Sequence, residues 1–340
     1  MAAHVVVGGF FGDEGKGKIV AFLARSYRPR YAVRTGATNA GHTVVNNGRV
    51  YKLRAAPSAL VEPSTTLLVA RGALVHLRVF LEEASAYDLR GRFFLDPLTG
   101  IITDEHVERE RSDPYLMKTI GSTGTGVGAA MVDRVLRRLR LASDYEELRG
   151  FLADTQGLLL DAIEAGEYVL VEASQGYWLS LYHGTYPYVT SRDTTAAAAL
   201  SEAGLGPGHV SRITVVFKAF VTRVGGGPLP GELGREEAEK LGWVEYGTVT
   251  GRPRRAAPFN MELARTAVRA NSATDVAVTK LDVLFPEARC ARSWERLPRE
   301  ARRWLEELEE ELGVPVSLVG TGEAVECTVD RSRELGLEPA

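Results

Sequence analysis

Cysteine is scarce in this chain of 340 residues, which contains only Cys290 and Cys327. Their spacing matches neither a metal-ligand pattern nor a disulfide framework, which excludes a small fold stapled by metals or disulfides. We therefore expect two thiols, in the core or at the surface, in a reducing compartment.

Long apolar runs and a surplus of basic charge are also lacking. No uninterrupted apolar run reaches transmembrane length, and the N-terminus has no charged stretch followed by an apolar one. The formal net charge is -3 at pH 7, which disfavours a general nucleic-acid-binding role. We expect a cytoplasmic protein with neither a nucleic acid nor a membrane as partner.

Lysine is rare as well. Of the 41 basic residues, 7 are lysines, which leaves 34 arginines. Genomic base composition or a thermophilic habit explains such a bias in general terms. Lys16, Lys18 and Lys280 nevertheless all fall in candidate motifs, which suggests that a compact ammonium group was kept at these positions.

Short β-branched runs alternate with helical patterns along the chain. The expected strands cover residues 5–7, 67–69, 169–171, 213–217, 276–278 and 314–319, and the expected helices cover 133–148, 151–165 and 299–312. This alternation predicts an α/β fold with a large, mainly parallel central sheet covered by helices. Residues 71–113 show no clear period. Since no repeat or linker interrupts the pattern, we expect residues 1–340 to form a single domain with long functional loops.

A glycine-rich segment follows the first expected strand. Residues 8–18 read Gly-Gly-Phe-Phe-Gly-Asp-Glu-Gly-Lys-Gly-Lys, and such a turn at a helix N-terminus presents backbone N–H groups to phosphate. The segment departs from the P-loop template, which has Gly where Phe10 stands and Ser or Thr where Gly17 stands. Asp13 is well suited to replace the missing hydroxyl as a Mg²⁺ ligand.

Two further segments carry polar groups suited to a nucleotide. Residues 35–43 surround Asn39 and His42 with small residues, so the backbone can approach a ligand and the imidazole can move a proton. Thr279-Lys280-Leu281-Asp282 follows an expected strand. A carboxylate at Asp282 can accept the N1 and N2 hydrogens of guanine, which adenine does not offer, so GTP is favoured over ATP.

An arginine loop indicates an acidic small molecule. Residues 247–255 place three arginines, Arg252, Arg254 and Arg255, on a stiff loop with hydroxyl groups, and guanidinium groups suit carboxylates and phosphates. A loop of solvated basic side chains without a ligand is the alternative.

Three other segments are candidates for ligand contacts. Residues 121–128 form a second glycine-rich loop that is either a hinge or a phosphate site. Residues 172–176 and 183–190 lie near an expected strand end, where ligands of open α/β sheets bind.

Taken in order, these motifs resemble the adenylosuccinate synthetase family, the GTP-dependent ligases that join IMP and L-aspartate on the route to AMP. The motifs are Gly-Asp-Glu-Gly-Lys-Gly-Lys, Asn-Ala-Gly-His-Thr, the Ser-Thr-Gly loop, His-Gly-Thr-Tyr-Pro-Tyr-Val-Thr, Thr-Arg-Val-Gly, Thr-Gly-Arg-Pro-Arg-Arg, Thr-Lys-Leu-Asp and Gly-Thr-Gly. They run from residue 5 to about residue 322 and are together highly specific.

The resemblance implies a role for each matching residue. Asp13 would be the general base and, with the Gly41 carbonyl, a Mg²⁺ ligand; His42 would be the acid partner, and Lys16 would offset phosphate charge. The expected GTP residues are Gly12, Asp13, Glu14, Gly15, Lys16, Gly17, Lys18, Gly41, His42, Thr43, Arg254, Lys280, Leu281, Asp282, Gly320, Thr321 and Gly322. The expected IMP residues are Asp13, Lys16, Asn39, Ala40, Gly41, His42, Thr123, Gln175, Thr190 and Arg252, with Arg137 supplied by the second chain of a homodimer. The expected aspartate residues are Thr248, Val249, Thr250, Gly251, Arg252 and Arg254.

On this resemblance the chain would be a short form of the family, and its sequence departs from the family pattern locally. It is shorter between residues 140 and 168 and between 284 and 313, outside the motifs. The side chains that differ from the usual ones are Phe10, Phe11, Thr125, Tyr182, Arg192 and Asp193. Contacts that the family makes through those side chains do not carry over.

Two other functions use part of the same motif set. A GTP-dependent regulatory switch needs the phosphate loop and Thr-Lys-Leu-Asp, but it does not need His42 or the arginine loop. A nucleotide kinase would transfer phosphate to a stable product. Both remain alternatives to the ligase at this point.

Overall fold

A nine-stranded sheet forms the centre of the computed structural model, which describes residues 2–247 and 251–339. The strands of the described residues are β1 (Ala3–Gly8), β2 (Tyr31–Arg34), β3 (His42–Asn46), β4 (Arg49–Leu53), β5 (Thr66–Val69), β6 (Leu74–His76), β7 (Phe93–Leu95), β8 (Gly100–Ile102), β9 (Val169–Glu172), β10 (Val210–Lys218), β11 (Phe220–Arg223), β12 (Arg255–Pro258), β13 (Asp275–Thr279), β14 (Val316–Gly320) and β15 (Thr328–Asp330). The order in the large sheet is β15-β14-β13-β10-β1-β9-β2-β5-β7. Every neighbouring pair is parallel except β14 and β15. The predicted mainly parallel α/β sheet is therefore confirmed.

Helices and three small ribbons surround this sheet. The α-helices are α1 (Lys16–Tyr27), α2 (Leu77–Ala86), α3 (Asp104–Ser112), α4 (Val127–Val135), α5 (Thr155–Glu164), α6 (Ala196–Ala203), α7 (Arg235–Lys240), α8 (Met261–Ala270), α9 (Leu281–Leu284) and α10 (Arg299–Leu312). The two-stranded ribbons pair β3 with β4, β6 with β8, and β11 with β12. Within the described ranges, no helix combines the length and the apolar character needed to cross a bilayer.

The central strands lie in the core. All six residues of β1 are buried, as are all five of β13, because helices cover both faces of a parallel sheet. The last helix, α10, has the expected bounds and buries Leu305, Leu308 and Leu312 on one stripe. It ends at Gly313, which has a φ of 70° that an L side chain rarely adopts.

The expected helix over residues 133–148 is wrong. Helix α4 ends at Val135, and 3₁₀ turns follow at Ala142–Asp144 and Glu146–Phe151. Arg137 has a left-handed φ of 61°, which breaks the helix. The apolar spacing that resembled a helix instead lets Leu148 and Phe151 pack into the core from the short turns. The helix expected at 151–165 begins later, at Thr155, where Asp154 caps it by accepting from the Gly157 N–H.

The expectation of free thiols is also wrong. Cys290 and Cys327 form a disulfide although they are 37 positions apart in the sequence. The pairing depends on the fold, because the connection after β13 and the loop before β15 meet at the same end of the sheet. The sequence spacing carries no trace of this proximity, and the argument from thiols to a reducing compartment no longer holds.

The parallel strands bring polar residues together at one edge of the sheet. The carboxyl ends of β1, β2, β9, β10 and β13 carry Gly8, Arg34, Glu172, Lys218 and Thr279, respectively. Ligands bind at such an edge in open α/β sheets. The candidate site is therefore expected there.

Candidate functional site

A cleft of about 780 Å³ opens at the carboxyl edge of the sheet. Most of the residues proposed from the sequence line it: Gly12, Asp13, Gly15, Lys16, Gly17, Lys18, Asn39, Ala40, Gly41, His42, Thr43, Thr123, Gln175, Thr190, Arg252, Arg254, Lys280 and Gly322. The fold thus brings together motifs that are up to about three hundred residues apart in the chain.

The other proposed residues lie outside the lining of this cleft. Glu14, Leu281 and Thr321 are buried behind it, and Arg137 is exposed on the surface after α4. Gly251, Asp282 and Gly320 do not contribute to the lining. Thr248, Val249 and Thr250, which belong to the proposed aspartate loop, lie outside the described residues.

The phosphate loop is organised around the carboxylate of Glu14, which is 1 % exposed. Its Oε1 accepts the backbone N–H groups of Phe10 at 3.0 Å and Gly12 at 2.8 Å. Its Oε2 lies 2.7 Å from Nζ of Lys16, also buried. The side chain of Glu14 therefore shapes the loop from inside and balances the lysine charge.

Two glycines allow this carboxylate to sit so deeply. A Cβ at Gly8 would lie 2.5 Å from Oε2 of Glu14 and 2.8 Å from Nζ of Lys16. A Cβ at Gly176 would lie 2.5 Å from the carbonyl oxygen of Phe10 and 2.7 Å from the Gly12 nitrogen. Because real Cβ atoms do not approach that closely, both positions require glycine.

Asp13 belongs to a cluster of charged side chains in the cleft. Its Oδ2 lies 2.7 Å from Nε of Arg254, and Arg254 also contacts Glu245. Glu245 in turn pairs with Lys218 at 2.7 Å and with Lys280 at 3.4 Å. With all five ionised, three cations face two carboxylates, so the cluster carries one surplus positive charge that suits anionic ligands.

Burial shifts the protonation equilibria in this cluster. It raises the pKa of Asp13, although Arg254 and Lys218 act in the opposite direction. A carboxylate with a raised pKa is a stronger base, as a group that removes a proton near neutral pH requires. Burial alone would also raise the pKa of Glu245, but Lys218, Lys280 and Arg254 outweigh it and bring that pKa to about 2.

His42 is held by a second buried network. Its Nδ1 contacts Oε1 of Glu172, and Arg34 lies 3.0 Å from the same nitrogen. Glu172 also accepts the backbone N–H of Ser58 at 2.6 Å and its hydroxyl at 2.7 Å. We assign the imidazole proton to Nδ1 because a carboxylate accepts from it, which leaves Nε2 for a ligand.

The protein environment favours the neutral form of the His42 imidazole. Burial and the neighbouring Arg34 charge lower its pKa to about 4, with Glu172 opposing them. Burial would raise the pKa of Glu172, but His42 and Arg34 prevail and lower it to about 2. Negative charge close to Nε2 would raise the pKa of this imidazole.

Polar side chains across the cleft contact one another in pairs. Nε2 of Gln175 donates to Oδ1 of Asn39 at 2.8 Å, and the hydroxyls of Thr123 and Thr125 lie 2.9 Å apart. Arg252 donates to the carbonyl oxygen of Gly121 at 2.9 Å, which joins the arginine loop to the second glycine loop. Arg255 turns instead towards Glu232.

The segment predicted to read guanine contains an unsatisfied acceptor. Oδ1 of Asp282 is buried and has no hydrogen-bond partner among the described residues. A buried carboxylate oxygen without a partner is unfavourable, and an N–H donor would satisfy it. Lys280 precedes it with a left-handed φ of 60° and lines the cleft.

Several residues that depart from the family pattern have structural roles here. The ring of Phe10 packs against Phe217 and Phe259, and Phe11 lies under the guanidinium of Arg223 at 4.5 Å. Asp193 accepts the Ser180 hydroxyl at 2.7 Å. The remaining departures are Arg192, which pairs with Glu202, Tyr182, which is exposed, and Thr125, which contacts Thr123.

Sequence reasoning missed the groups that hold the site in place. No individual role was predicted for Arg34, Glu172, Lys218, Arg223 or Glu245, although each is buried or paired in the structure. A usable signal existed for three of them, because Arg34, Glu172 and Lys218 are charged residues at the ends of apolar strands. Such residues rarely stay buried without a partner or a function.

Comparisons with known proteins identify the family of this chain. The adenylosuccinate synthetase family model matches residues 5–144 and 139–288. A curated adenylosuccinate synthetase from Archaeoglobus fulgidus is 48% identical over 335 residues, which cover 98% of this chain and 99% of the relative. One from Methanocaldococcus jannaschii is 45% identical over 339 residues, 98% of each chain.

Solved structures match the fold. The structure of fully ligated adenylosuccinate synthetase from Plasmodium falciparum superposes with a TM-score of 0.89 at 23% identity, and the match covers 97% of this chain and 99% of that one. This chain therefore belongs to the adenylosuccinate synthetase family, the GTP-dependent ligases that convert IMP and L-aspartate to adenylosuccinate in purine biosynthesis.

Proposed function

We propose that the cleft at the carboxyl edge of the sheet carries out this ligase reaction through a 6-phosphoryl-IMP intermediate. The observation that carries the proposal is the position of Asp13, which lies on the phosphate loop and shares the cleft with His42 and the arginine loop. One pocket thus holds a base of raised pKa, a phosphate-binding loop and cations for an acidic substrate.

Asp13 starts the chemistry by taking the N1 proton of IMP. The electrons of the N1–H bond move into the ring and leave negative charge on O6, which attacks the γ-phosphorus of GTP in line and expels GDP. The amine of aspartate then bonds to C6 and loses a proton, and the C6–O6 bond breaks to release phosphate. The products are adenylosuccinate, GDP and phosphate.

His42 and Lys16 act on the charge that builds up during phosphoryl transfer. Imidazolium at His42 donates from Nε2 towards O6 and the β/γ-phosphate oxygens, while Glu172 holds Nδ1. Lys16, which pairs with Glu14, offers an ammonium group to the same oxygens. Both groups stabilise the transferring phosphoryl more than the separated substrates.

GTP binding is assigned to two parts of the site. The phosphates contact the loop and neighbouring segment through Gly12, Asp13, Glu14, Gly15, Lys16, Gly17, Lys18, Gly41, His42, Thr43 and Arg254. The guanosine contacts Lys280, Leu281, Asp282, Gly320, Thr321 and Gly322. The unsatisfied Oδ1 atom of Asp282 supports the second assignment. The Glu14 side chain faces inward, so only its backbone remains available to phosphate.

The other two substrates are assigned to sets of residues that partly overlap the GTP set. IMP contacts Asp13, Lys16, Asn39, Ala40, Gly41, His42, Thr123, Gln175, Thr190 and Arg252. L-Aspartate contacts Thr248, Val249, Thr250, Gly251, Arg252 and Arg254. The pairing of Arg254 with Asp13 and Glu245 supports this assignment, because a substrate carboxylate can replace either partner of the guanidinium.

A Mg²⁺ ion is part of the proposal, with the Asp13 carboxylate and the Gly41 carbonyl as its protein ligands. Among the residues that the structure describes, no three His, Cys, Asp or Glu side chains gather into a metal-binding group. The two oxygen donors nevertheless fit Mg²⁺, which often takes only one or two protein ligands and completes its shell with phosphates and water. When bound, the ion would neutralise phosphate charge.

The proposal includes a homodimer in which Arg137 reaches the IMP phosphate of the partner subunit. Arg137 is exposed and follows an exposed apolar strip in which Val132, Val135 and Leu136 are 51%, 67% and 50% accessible. Burial of such a strip against a second copy would be favourable.

We also propose that residues 1–340 act as a single domain. The protein would work in the cytoplasm, where its nucleotide substrates are found.

Substrate dependence provides the test. Phosphate release from GTP is measured with protein alone, with IMP, with L-aspartate and with both. We expect sustained release only with both substrates, accompanied by the change in purine absorbance that marks adenylosuccinate. Slow hydrolysis without either substrate would favour a regulatory switch, and a stable phosphorylated nucleotide would favour a kinase.

A further inference from the structure

The Cys290–Cys327 disulfide lies directly against the loop assigned to guanosine. Cys290 comes shortly after α9, which contains Asp282, and Cys327 comes shortly after Gly322. The bond therefore joins the two chain segments that would enclose the base. Neither cysteine has a role in the proposed reaction.

Backbone hydrogen bonds connect both half-cystines to Thr321. The N–H of Cys290 donates to the Thr321 carbonyl oxygen at 2.7 Å, and the N–H of Thr321 donates to the Cys327 carbonyl oxygen at 3.0 Å. Thr321 is fully buried, and its hydroxyl donates to Ala291 at 2.7 Å. A Cβ at Gly322 would lie 3.1 Å from Cβ of Cys327, so the half-cystine fills the space behind the loop.

Lys18 ties this loop to the phosphate end of the site. Its Nζ donates to the carbonyl oxygens of Gly322 and Cys327, both at 2.6 Å. Lys18 belongs to α1, the helix that begins at the phosphate loop. The loop at 320–322 is thus held on one side by the disulfide and on the other by a buried lysine.

We propose that the Cys290–Cys327 disulfide is a positioning element for the guanine base of GTP. It holds the 320–322 loop at the distance from Asp282 at which both contact the base, so its cleavage weakens GTP binding and base discrimination while the IMP side is unaffected. This inference rests on the proposed assignment of guanosine to Lys280, Asp282 and residues 320–322.

The bond is open to a small dithiol. Cys290 is partly exposed, and Cys327 is 8% exposed. A dithiol thiolate attacks Sγ of Cys290, and Cys327 leaves as a thiolate that takes up a proton. The second thiol of the reagent then displaces Cys290 and forms a cyclic disulfide, so two electrons and two protons reach the protein.

The experiment compares oxidised and dithiothreitol-reduced enzyme. Thiol titration of the unfolded chain should detect no free thiols before reduction and two free thiols per chain after it. On reduction, the KM for GTP should rise about tenfold, because the loop that contacts the base is no longer preorganised. The kcat and the KM for IMP should stay within about twofold of their values in the oxidised enzyme. The preference for GTP over ITP, which lacks the 2-amino group, should narrow.

A cysteine-free variant provides the matched control. Cys290→Ser/Cys327→Ser should show the raised KM for GTP without any response to dithiothreitol, and oxidised dithiothreitol should leave the wild type unchanged. An unchanged KM for GTP in enzyme with two titrated thiols would overturn the proposal, even if the melting temperature fell. Two thiols in the enzyme before reduction would overturn it as well. Absence of adenylosuccinate in both redox states would instead refute the proposed function.

Discussion

Oδ2 of Asp13 lies 2.7 Å from Nε of Arg254. The proposed base is thus paired with a cation from the loop proposed to hold aspartate. A substrate carboxylate that draws Arg254 away would remove a stabilising charge from Asp13 and strengthen it as a base. Aspartate binding and base strength are coupled in this arrangement.

Arg254→Leu should therefore affect both properties. The KM for L-aspartate should rise by about 10²-fold, since a charge-assisted contact is lost. Arg254 lowers the pKa of Asp13, so its removal raises that pKa, and the acid limb of the profile of kcat/KM for L-aspartate should move to higher pH because the base must be deprotonated. Initial rates against pH at limiting aspartate, with GTP and IMP saturating, measure this shift. Arg255→Leu, in which the changed arginine pairs with Glu232, is the control.

Asp13→Asn should nearly abolish turnover while the fold persists. The amide has no basic oxygen, and general-base catalysis contributes about 10²–10⁴-fold. Steady-state kcat measures the loss, and circular dichroism checks the fold. A variant that kept most of its kcat would contradict the assignment of Asp13 as the base.

Asp282→Asn should move the nucleotide preference from GTP towards XTP. Xanthine has an oxygen where guanine has the 2-amino group, so the amide can donate where the carboxylate accepted. The ratio of kcat/KM for the two nucleotides measures the change, and the KM for IMP serves as an internal control. A variant that still strongly prefers GTP would show that Asp282 does not read the base.

Mixing inactive chains tests the contribution of Arg137 across the dimer. Asp13→Ala and Arg137→Leu homodimers should each be nearly inactive, because every site lacks one essential group. Random reassembly makes half of the dimers mixed, and each mixed dimer has one intact site, so activity should recover to about a quarter of wild type. No recovery despite verified subunit exchange would mean that Arg137 does not act in trans.

A buried histidine near the start of the central strand β1 predicts that the stability of the fold decreases in acid. The ring nitrogens of His4 lie 2.9 Å from the Tyr168 hydroxyl and 2.7 Å from the Thr214 hydroxyl. Burial and, to a smaller extent, the charge of Arg212 lower the pKa of His4 to about 3. Because the unfolded chain binds a proton below about pH 6.5 and the folded one does not, stability is greatest above that pH and falls as the pH drops towards 3.

His4→Gln should reduce this dependence. Urea unfolding between pH 7 and 5 should show a slope smaller than wild type by up to about 1.4 kcal/mol per pH unit. Equal slopes in the two proteins would mean that His4 does not titrate in this way. His209→Gln, in a short surface turn, is the comparison variant.

The sequence predicted the centre of the molecule well and its periphery poorly. Apolar runs such as residues 276–278 can only be buried strands once helices alternate with them, and the phosphate loop follows from glycine spacing and helix geometry. Local pattern could not predict the end of α4 at Val135, because the left-handed residue there is an arginine. The Cys290–Cys327 disulfide and the ion pairs of Glu245 with Lys218 and Arg254 depend on segments that meet only in the folded chain.

The inward carboxylate of Glu14 has a consequence for how quickly nucleotide binds. Its hydrogen bonds to Phe10 and Gly12 are made within the protein and fix the shape of the loop. The entropy of ordering those residues is therefore lost during folding and not at the moment of encounter. Association of GTP should then be limited by diffusion and orientation in the cleft, and not by a slow rearrangement of the loop.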